Sequence, residues 1–273
     1  MEQPSYDRFT SRDGTSLAYR VSGQGVPVVL VHGYTVTSTT NFATHYADDG
    51  AGRLIEADGP TIEKALTDAG CQVAMLDLRG HGHSDRPHEA ERYTSEIFAD
   101  DVRALVTHLG ISRAALIGYS FGSMISCDLL ADPWVSRAAL CGISSANVAG
   151  EYPEFEAEMA ILADCFLHGT WNEHPEYKQN RAWARLDGSD PDFTALGLVA
   201  AHGVRPVSVA TLASVALPVL VLNGGSDDGA DDGEDLSRFI PGARRVVAGQ
   251  GHHGNAPSDP LFQAELVRFV LGQ

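Results

Sequence analysis

The chain has 273 residues, of which 44% are hydrophobic and 20% are charged. That length suffices for one sizeable core with a subsidiary lid, and the composition is ordinary for a globular enzyme. The formal net charge of −17 and the isoelectric point near 4.9 argue against nucleic-acid binding, which needs a basic face, and against an anionic membrane surface. We interpret the acidity as favouring solubility and expect a small molecule as the partner, with the oligomeric state left open.

The N-terminal residues and the cysteines favour a cytoplasmic protein. The first seven residues contain no basic segment followed by an apolar one, and no apolar run approaches the length of a membrane span. No pair of cysteines is spaced as Cys-x-x-Cys, and three of the four lie in or beside apolar runs, which favours buried thiols in a reducing cytoplasm over disulfides or a catalytic cysteine. These cysteines are Cys71, Cys127, Cys141 and Cys165.

The first part of the chain predicts a hairpin, a buried strand and an unusual loop. Residues 6–26 alternate in polarity around Asp13-Gly14, a strong turn signal, and the unbroken apolar run at 26–32 predicts a central parallel strand. Residues 35–60 are long, polar and rich in Gly and Asp. Because this loop leaves the carboxyl end of a parallel strand, we expect it to begin beside the ligand crevice and to act as a second lid.

A short motif follows the next buried strands. Residues 113–117 read Arg-Ala-Ala-Leu-Ile, which is apolar after the arginine. Residues 118–122 read Gly-Tyr-Ser-Phe-Gly, and residues 123–131 have the apolar content of a buried helix. A Gly-x-Ser-x-Gly turn between strand and helix is the nucleophile elbow, which strains the backbone of Ser120 and exposes its hydroxyl. Further strands are predicted at 73–76, 138–143, 219–223 and 244–248, and further helices at 94–109 and 260–271.

The alternation of strand and helix breaks between residues 145 and 213. Apolar side chains at Phe155, Met159, Leu162 and Phe166 repeat with helical spacing, and residues 175–186 and 191–201 suggest two more helices.

Taken in order, these segments resemble the α/β-hydrolase fold superfamily, in its serine-nucleophile branch. The resemblance rests on His32-Gly33 after the first central strand, the elbow, Gly224-Gly225-Ser226-Asp227 after a late strand, and Gly249-Gln250-Gly251-His252 near the end. It implies an α/β fold with a mostly parallel central sheet flanked by helices. It also implies a core domain at 1–144 and 214–273 and a small helical cap at 145–213, inserted after the sixth core strand.

The resemblance implies a catalytic triad of Ser120, His252 and Asp227. A serine hydroxyl needs a base to take its proton, and that histidine needs a carboxylate to fix its tautomer. His253 is the rival base and Asp228 the rival acid, since each adjoins the favoured residue. We favour His252 because the family places its base directly after the glycine pair.

The same resemblance implies an oxyanion hole formed by the backbone N–H groups of Phe121 and Tyr34, with His32 bracing the loop. No cofactor is implied. We also expect no metal: the acidic run from Asp227 to Asp235 departs from calcium-loop spacing, and the family's loop matching residues 79–85 binds none.

Substrate selection is expected from the cap and from the 35–60 loop. Aromatic side chains suit pocket walls because they offer a large apolar area, to which Tyr and Trp add a polar group. We expect substrate contacts from Tyr34, Phe42, Tyr46, Phe155 and Trp183, with Tyr152, Phe166 and Trp171 as further cap candidates.

The sequence therefore predicts a serine hydrolase that cleaves an ester or lactone of a small, neutral molecule through an acyl-enzyme. Serine at the elbow disfavours haloalkane dehalogenase and epoxide hydrolase chemistry, for which the family uses aspartate. Hydrolysis of a carbon–carbon bond in a diketone is the alternative, because it uses the same triad. A non-hydrolytic lyase or ligand-binding protein is the alternative of another class, since the fold hosts both.

Overall fold

The computed structural model describes residues 5–50 and 53–273. The N-terminal expectation rests partly on residues 1–4, and the predicted loop includes residues 51–52; both stretches lie outside the described residues. Within the described part, no helix is long and apolar enough to cross a membrane.

Eight of the described strands form one mostly parallel sheet in the order β1-β2-β6-β3-β7-β8-β9-β10. Strand β2 runs antiparallel to β1 and β6, as the predicted hairpin requires, and the remaining neighbours are parallel. Strands β4 and β5 form a separate antiparallel pair. The strands are β1 (Asp7–Thr10), β2 (Ser16–Gly23), β3 (Val26–Val31), β4 (Tyr46–Asp48), β5 (Leu54–Glu56), β6 (Cys71–Leu76), β7 (Ala114–Tyr119), β8 (Val135–Cys141), β9 (Val219–Gly224) and β10 (Arg244–Ala248).

Helices cover both faces of the sheet, which explains the unbroken apolar runs of its central strands. In β3, Val29 and Val31 pack into the cluster that includes Phe98, whereas Val28 and Leu30 pack into the cluster that includes Phe262. The helices are α1 (Ser38–Phe42), α2 (Ile62–Asp68), α3 (Ser95–His108), α4 (Phe121–Cys127), α5 (Phe155–His168), α6 (Lys178–Trp183), α7 (Phe193–Leu198), α8 (Val209–Ala213) and α9 (Pro260–Leu271).

Helices α5 to α8 lie between β8 and β9, after the sixth strand of the large sheet. The predicted amphipathic helix is α5, and the two shorter predictions correspond to α6 and to α7 with the π-helix Val199–Gly203 that extends it. These helices share a small core that includes Leu162, Phe166, Trp171 and Leu196. The division of the chain into a core domain and a cap domain stays a prediction.

The 35–60 segment is more structured than its polar composition suggests, since it contains α1 and the β4–β5 hairpin. Thr37 caps α1, with its hydroxyl accepting from the Thr40 N–H at 3.1 Å. Ser38 is buried, and both its N–H and its hydroxyl donate to Asp77. Asn41 is also buried, and its Oδ1 accepts from the Gly33 N–H at 2.8 Å. These polar side chains can be buried because each of them has a hydrogen-bond partner.

A buried ion pair joins the first hairpin to α3. Arg79 is fully buried, and its guanidinium donates from Nε and Nη2 to the two carboxylate oxygens of Asp101, each at 2.7 Å. Its Nη1 also donates to Asp13, in the turn between β1 and β2.

We predict that Arg79→Met lowers the free energy of unfolding by about 3–5 kcal/mol, because the substitution leaves the Asp101 carboxylate buried without its partner. Urea denaturation measures this loss. Arg12→Met is the matched control, since Arg12 is 73% exposed in its pair with Asp100 and its loss should cost about 0–1 kcal/mol. Equal losses in the two variants would contradict this account.

Candidate active site

Ser120 occupies a strained turn between β7 and α4. Its backbone lies at φ 52° and ψ −118°, a conformation that non-glycine residues rarely adopt. The turn depends on glycine at both flanks: a Cβ at Gly122 would lie 2.0 Å from the Val31 carbonyl oxygen, and one at Gly118 would lie 2.4 Å from the carbonyl oxygen of Gly122. The serine hydroxyl is therefore presented at the carboxyl end of the sheet, as the elbow motif requires.

A histidine and an aspartate complete a hydrogen-bonded chain with this serine. His253 Nε2 lies 3.0 Å from Ser120 Oγ, and its Nδ1 lies 3.2 and 3.3 Å from the two carboxylate oxygens of Asp227. Because a carboxylate only accepts, Nδ1 carries the proton and Nε2 is free to accept from the serine. The Asp227 side chain is 4% exposed, whereas that of His253 is 36% exposed, so the imidazole is the more accessible of the two groups.

The histidine at the Ser120 hydroxyl is His253, not the expected His252. The carbonyl of His252 accepts the N–H groups of Asn255 and Ala256, so the chain turns sharply at this point and adjacent side chains diverge. His252 Nε2 lies 3.5 Å from an oxygen of Asp48, on the hairpin. The sequence spacing after Gly249 and Gly251 is compatible with either histidine at Ser120, and the geometry of the turn decides which one contacts the serine.

Asp227 and Asp228, the two candidates for the acid of the triad, differ in burial and in position. Asp227 follows β9 and is buried, whereas Asp228 is exposed and begins the short 3₁₀ helix Asp228–Ala230. Asp227 is the residue that faces His253. Among the described residues, no group of three or more His, Cys, Asp or Glu side chains could hold a metal ion.

The two expected oxyanion donors lie on opposite sides of the serine in sequence. Phe121 is the first residue of α4, so its N–H has no acceptor within the helix. Tyr34 follows Gly33, whose N–H is held by Asn41. Sequence reasoning missed Asn41, since no motif marks it.

Buried histidines support the Tyr34 loop. His32 Nδ1 donates to the Gly33 carbonyl at 2.7 Å, and its Nε2 accepts the Leu78 N–H at 2.9 Å. Burial lowers the pKa of His32, although Asp77 opposes the shift. Burial, together with neighbouring His32, lowers the pKa of His81 to about 3. Both rings are therefore neutral near pH 7, and the Nδ1 atom of each is hydrogen-bonded to a backbone carbonyl.

Burial and the aspartate act on His253 in opposite directions. Burial lowers its pKa, but the hydrogen bond and charge of Asp227 raise it by more, with a smaller contribution from Asp228. The net pKa is above the ordinary value of 6.5. The imidazolium that forms when the histidine takes a proton is thus stabilised at this site.

Three cavities meet at Ser120 and His253. The hairpin cavity, of about 40 Å³, is bounded by Tyr46, Leu54 and Trp183 among others. The apolar cavity, of about 210 Å³, and the acidic cavity, of about 580 Å³, lie against the cap. Apolar-cavity residues include Tyr34, Phe121, Met124, Met159 and Leu162, and acidic-cavity residues include Tyr152, Phe155, Glu158, Asp227, Asp228 and Glu234.

Most of the expected substrate contacts border these cavities. Tyr46 and Trp183 line the hairpin cavity, Tyr34 lines the hairpin and apolar cavities, and Phe155 lines the apolar and acidic ones. Phe42 does not, because its side chain is 1% exposed and packs into the core on the α2 and α9 face of the sheet.

The other cap aromatics divide between cavity and core. Tyr152 borders the acidic cavity, whereas Phe166 and Trp171 pack on each other with ring centroids 4.8 Å apart. Helical spacing alone does not separate these roles. Leu54 and Glu158, which line cavities, were also missed; Glu158 precedes Met159 on the helix that sequence analysis predicted.

The chain was compared with protein families, with known sequences and with solved structures, and the results agree with the fold described above. Residues 26–157 match the alpha/beta hydrolase fold family. The chain is 34% identical to the non-heme chloroperoxidase CPO-A1 of Kitasatospora aureofaciens, over 96% of this chain and 98% of that protein. Its structure is similar to a hydrolase from Pseudomonas aeruginosa PA01, with 25% identity, a TM-score of 0.69 and 98% coverage of each chain. It is also similar to the esterase EaEST from Exiguobacterium antarcticum, with 21% identity, a TM-score of 0.73 and coverage of 97% and 98%.

The raised pKa of His253 predicts the acid limb of the pH profile. The base must be neutral, so kcat/KM on an ester substrate should fall as the pH drops through a midpoint above 6.5. Asp227→Asn should move that midpoint downwards, because burial then acts without the opposing carboxylate. Asp228→Asn, the neighbouring control, should move it less. A wild-type midpoint at or below 6.5, or a larger shift from Asp228→Asn, would contradict the assigned pairing.

Proposed function

Because the chain belongs to the alpha/beta hydrolase fold family, we propose that it is a serine hydrolase that cleaves a carboxylic ester or lactone of a small molecule. The observation that carries the proposal is the chain of hydrogen bonds from Ser120 through His253 to Asp227, at the meeting point of three cavities. A serine alone would not indicate catalysis. A strained serine whose hydroxyl lies 3.0 Å from an imidazole that is hydrogen-bonded to a carboxylate is the arrangement that activates a serine as a nucleophile.

Acylation uses each of these groups in turn. Ser120 Oγ adds to the carbonyl carbon while its proton passes to His253 Nε2, and the resulting oxyanion accepts from the N–H groups of Tyr34 and Phe121. When the tetrahedral intermediate collapses, the carbon–oxygen bond of the ester breaks. His253 then gives its proton to the departing alkoxide, and the acyl group remains on Ser120 as an ester.

Deacylation repeats the sequence with water. His253 takes a proton from the water as its oxygen adds to the acyl carbon, and returns that proton to Ser120 Oγ as the acyl–oxygen bond breaks. The products are one carboxylic acid and one alcohol, joined in a single molecule when the substrate is a lactone. Asp227 orients and stabilises the imidazolium in both halves.

The hairpin is proposed to form a substrate-selecting wall. Tyr46 and Leu54 border the hairpin cavity, and the Tyr46 N–H is held by the Ser258 hydroxyl at 2.8 Å. Leu54 also approaches Gly254, directly after the histidine. This wall faces the same nucleophile as the cap residue Trp183.

A second candidate function follows from the relative named as a non-heme chloroperoxidase. If hydrogen peroxide replaces water in deacylation, the acyl group leaves as a peroxy acid and Ser120 is regenerated in the same way. Adding peroxide and measuring peroxy acid in the esterase assay tests this candidate, which requires the same triad.

The hydrolase proposal predicts that the wild-type protein hydrolyses p-nitrophenyl butyrate and that Ser120→Ala loses about ten-thousandfold or more of kcat/KM. His253→Ala should fall to a similar level, because triad members act as a unit. His252→Ala, the adjacent control, should retain most of the activity. Full activity in His253→Ala, or loss in His252→Ala alone, would reverse the assignment of the base.

A further inference from the structure

The two larger cavities at the nucleophile differ in charge. The acidic cavity contains four carboxylates, from Glu158, Asp227, Asp228 and Glu234, and no lysine or arginine is among the described residues that line it. The apolar cavity contains no carboxylate among its described lining residues. An ester bound at Ser120 extends into the cavities that meet there, so a difference in charge between the two larger ones would act on the two halves of the substrate separately.

We infer that the acidic cavity receives the alcohol half of the substrate and selects an alkylammonium group on it, while the apolar cavity receives a short acyl chain. This inference rests on the proposed hydrolase function, names the substrate class for it, and replaces the neutral substrate expected from the sequence with a cationic one.

The direction of binding follows from the positions of the catalytic groups. Tyr34 and Phe121, the proposed oxyanion donors, line the apolar cavity, and neither of them lines the acidic cavity. We therefore place the carbonyl oxygen and the acyl chain on the apolar side. Asp227 lines the acidic cavity, and His253, which gives its proton to the departing oxygen, borders both. The alcohol therefore leaves towards the acidic side.

No lysine or arginine of the described residues forms an ion pair with the carboxylates of the acidic cavity. Among the ion pairs of the described residues, none includes Glu158, Asp228 or Glu234, although Asp227 pairs with His253. Neutral donors hold two of the carboxylates: Glu158 accepts from the Tyr152 hydroxyl at 2.5 Å, and Glu234 accepts from the Ser145 hydroxyl at 2.9 Å. These hydrogen bonds orient the carboxylates and leave their charge in place.

Aromatic side chains and size also suit an alkylammonium. Tyr152 and Phe155 line the acidic cavity, and aromatic rings attract cations across their faces. The cavity volume of about 580 Å³ exceeds that of the apolar cavity, about 210 Å³, so the bulkier half fits on the charged side. An anionic alcohol would be repelled by the same carboxylates.

The experiment compares two esters that differ by one charge. Butyrylcholine and 3,3-dimethylbutyl butyrate share the acyl group and the shape of the alcohol, but only the first is cationic. Wild-type kcat/KM should favour butyrylcholine by about fivefold or more at low salt, and the ratio should shrink at about 0.5 M salt, because partly exposed charges are screened.

Two variants and a matched control locate the effect. Glu158→Gln and Asp228→Asn should each lower the ratio of the two kcat/KM values by about two- to fivefold, since each removes one charge from the cavity. Glu156→Gln makes the same change two residues earlier on α5, where Glu156 is exposed and borders a different cavity. Its ratio should equal that of the wild type.

The outcomes separate this inference from the hydrolase proposal. Hydrolysis of both esters with no preference for the cation, or with equal ratios in Glu158→Gln and Glu156→Gln, overturns the inference and leaves the hydrolase proposal standing. If neither ester is hydrolysed, calorimetric binding of both to Ser120→Ala decides: tighter binding of butyrylcholine supports the charge selection, and equal or absent binding overturns it.

Discussion

The close packing of the β7–α4 turn against β3 is the constraint on which the active site depends. The Gly122 backbone approaches the Val31 carbonyl so closely that no side chain fits between them. This contact holds Ser120 at a positive φ, at a cost of about 1–3 kcal/mol that the buried sheet on either side offsets. The same approach brings the end of β3, with Gly33 and Tyr34, beside the serine, so the nucleophile and both proposed oxyanion donors are set by one interaction.

The strands, the Ser120 turn and the helices could be predicted because residues close together in the sequence determine them. The apolar runs of β3 and β7 predict buried parallel strands because both sheet faces are covered, and glycine spacing around Ser120 predicts the turn because only glycine permits the contacts. The helix α5 was predicted from the helical spacing of its apolar side chains, which is also a local pattern. In each case the residues that carry the signal are neighbours in the chain.

The features that sequence did not predict depend on contacts between distant residues. Whether His252 or His253 faces the serine is decided by a turn closed onto Asn255 and Ala256, and adjacent histidines carry no periodic signal. The burial of Ser38 depends on Asp77, 39 residues away. Phe42, which we predicted to contact the substrate, packs into the core because α1 directs its side chain away from the crevice.

The proposed mechanism requires Ser120 to be a nucleophile activated by His253. Reaction with a fluorophosphonate, followed by intact mass and peptide mapping, tests this requirement without knowledge of the natural substrate. We predict one phosphonyl group per chain, on Ser120, with labelling slowed by about a hundredfold or more in His253→Ala and nearly unchanged in His252→Ala. Labelling at another residue, or equal rates in wild type and His253→Ala, would contradict it.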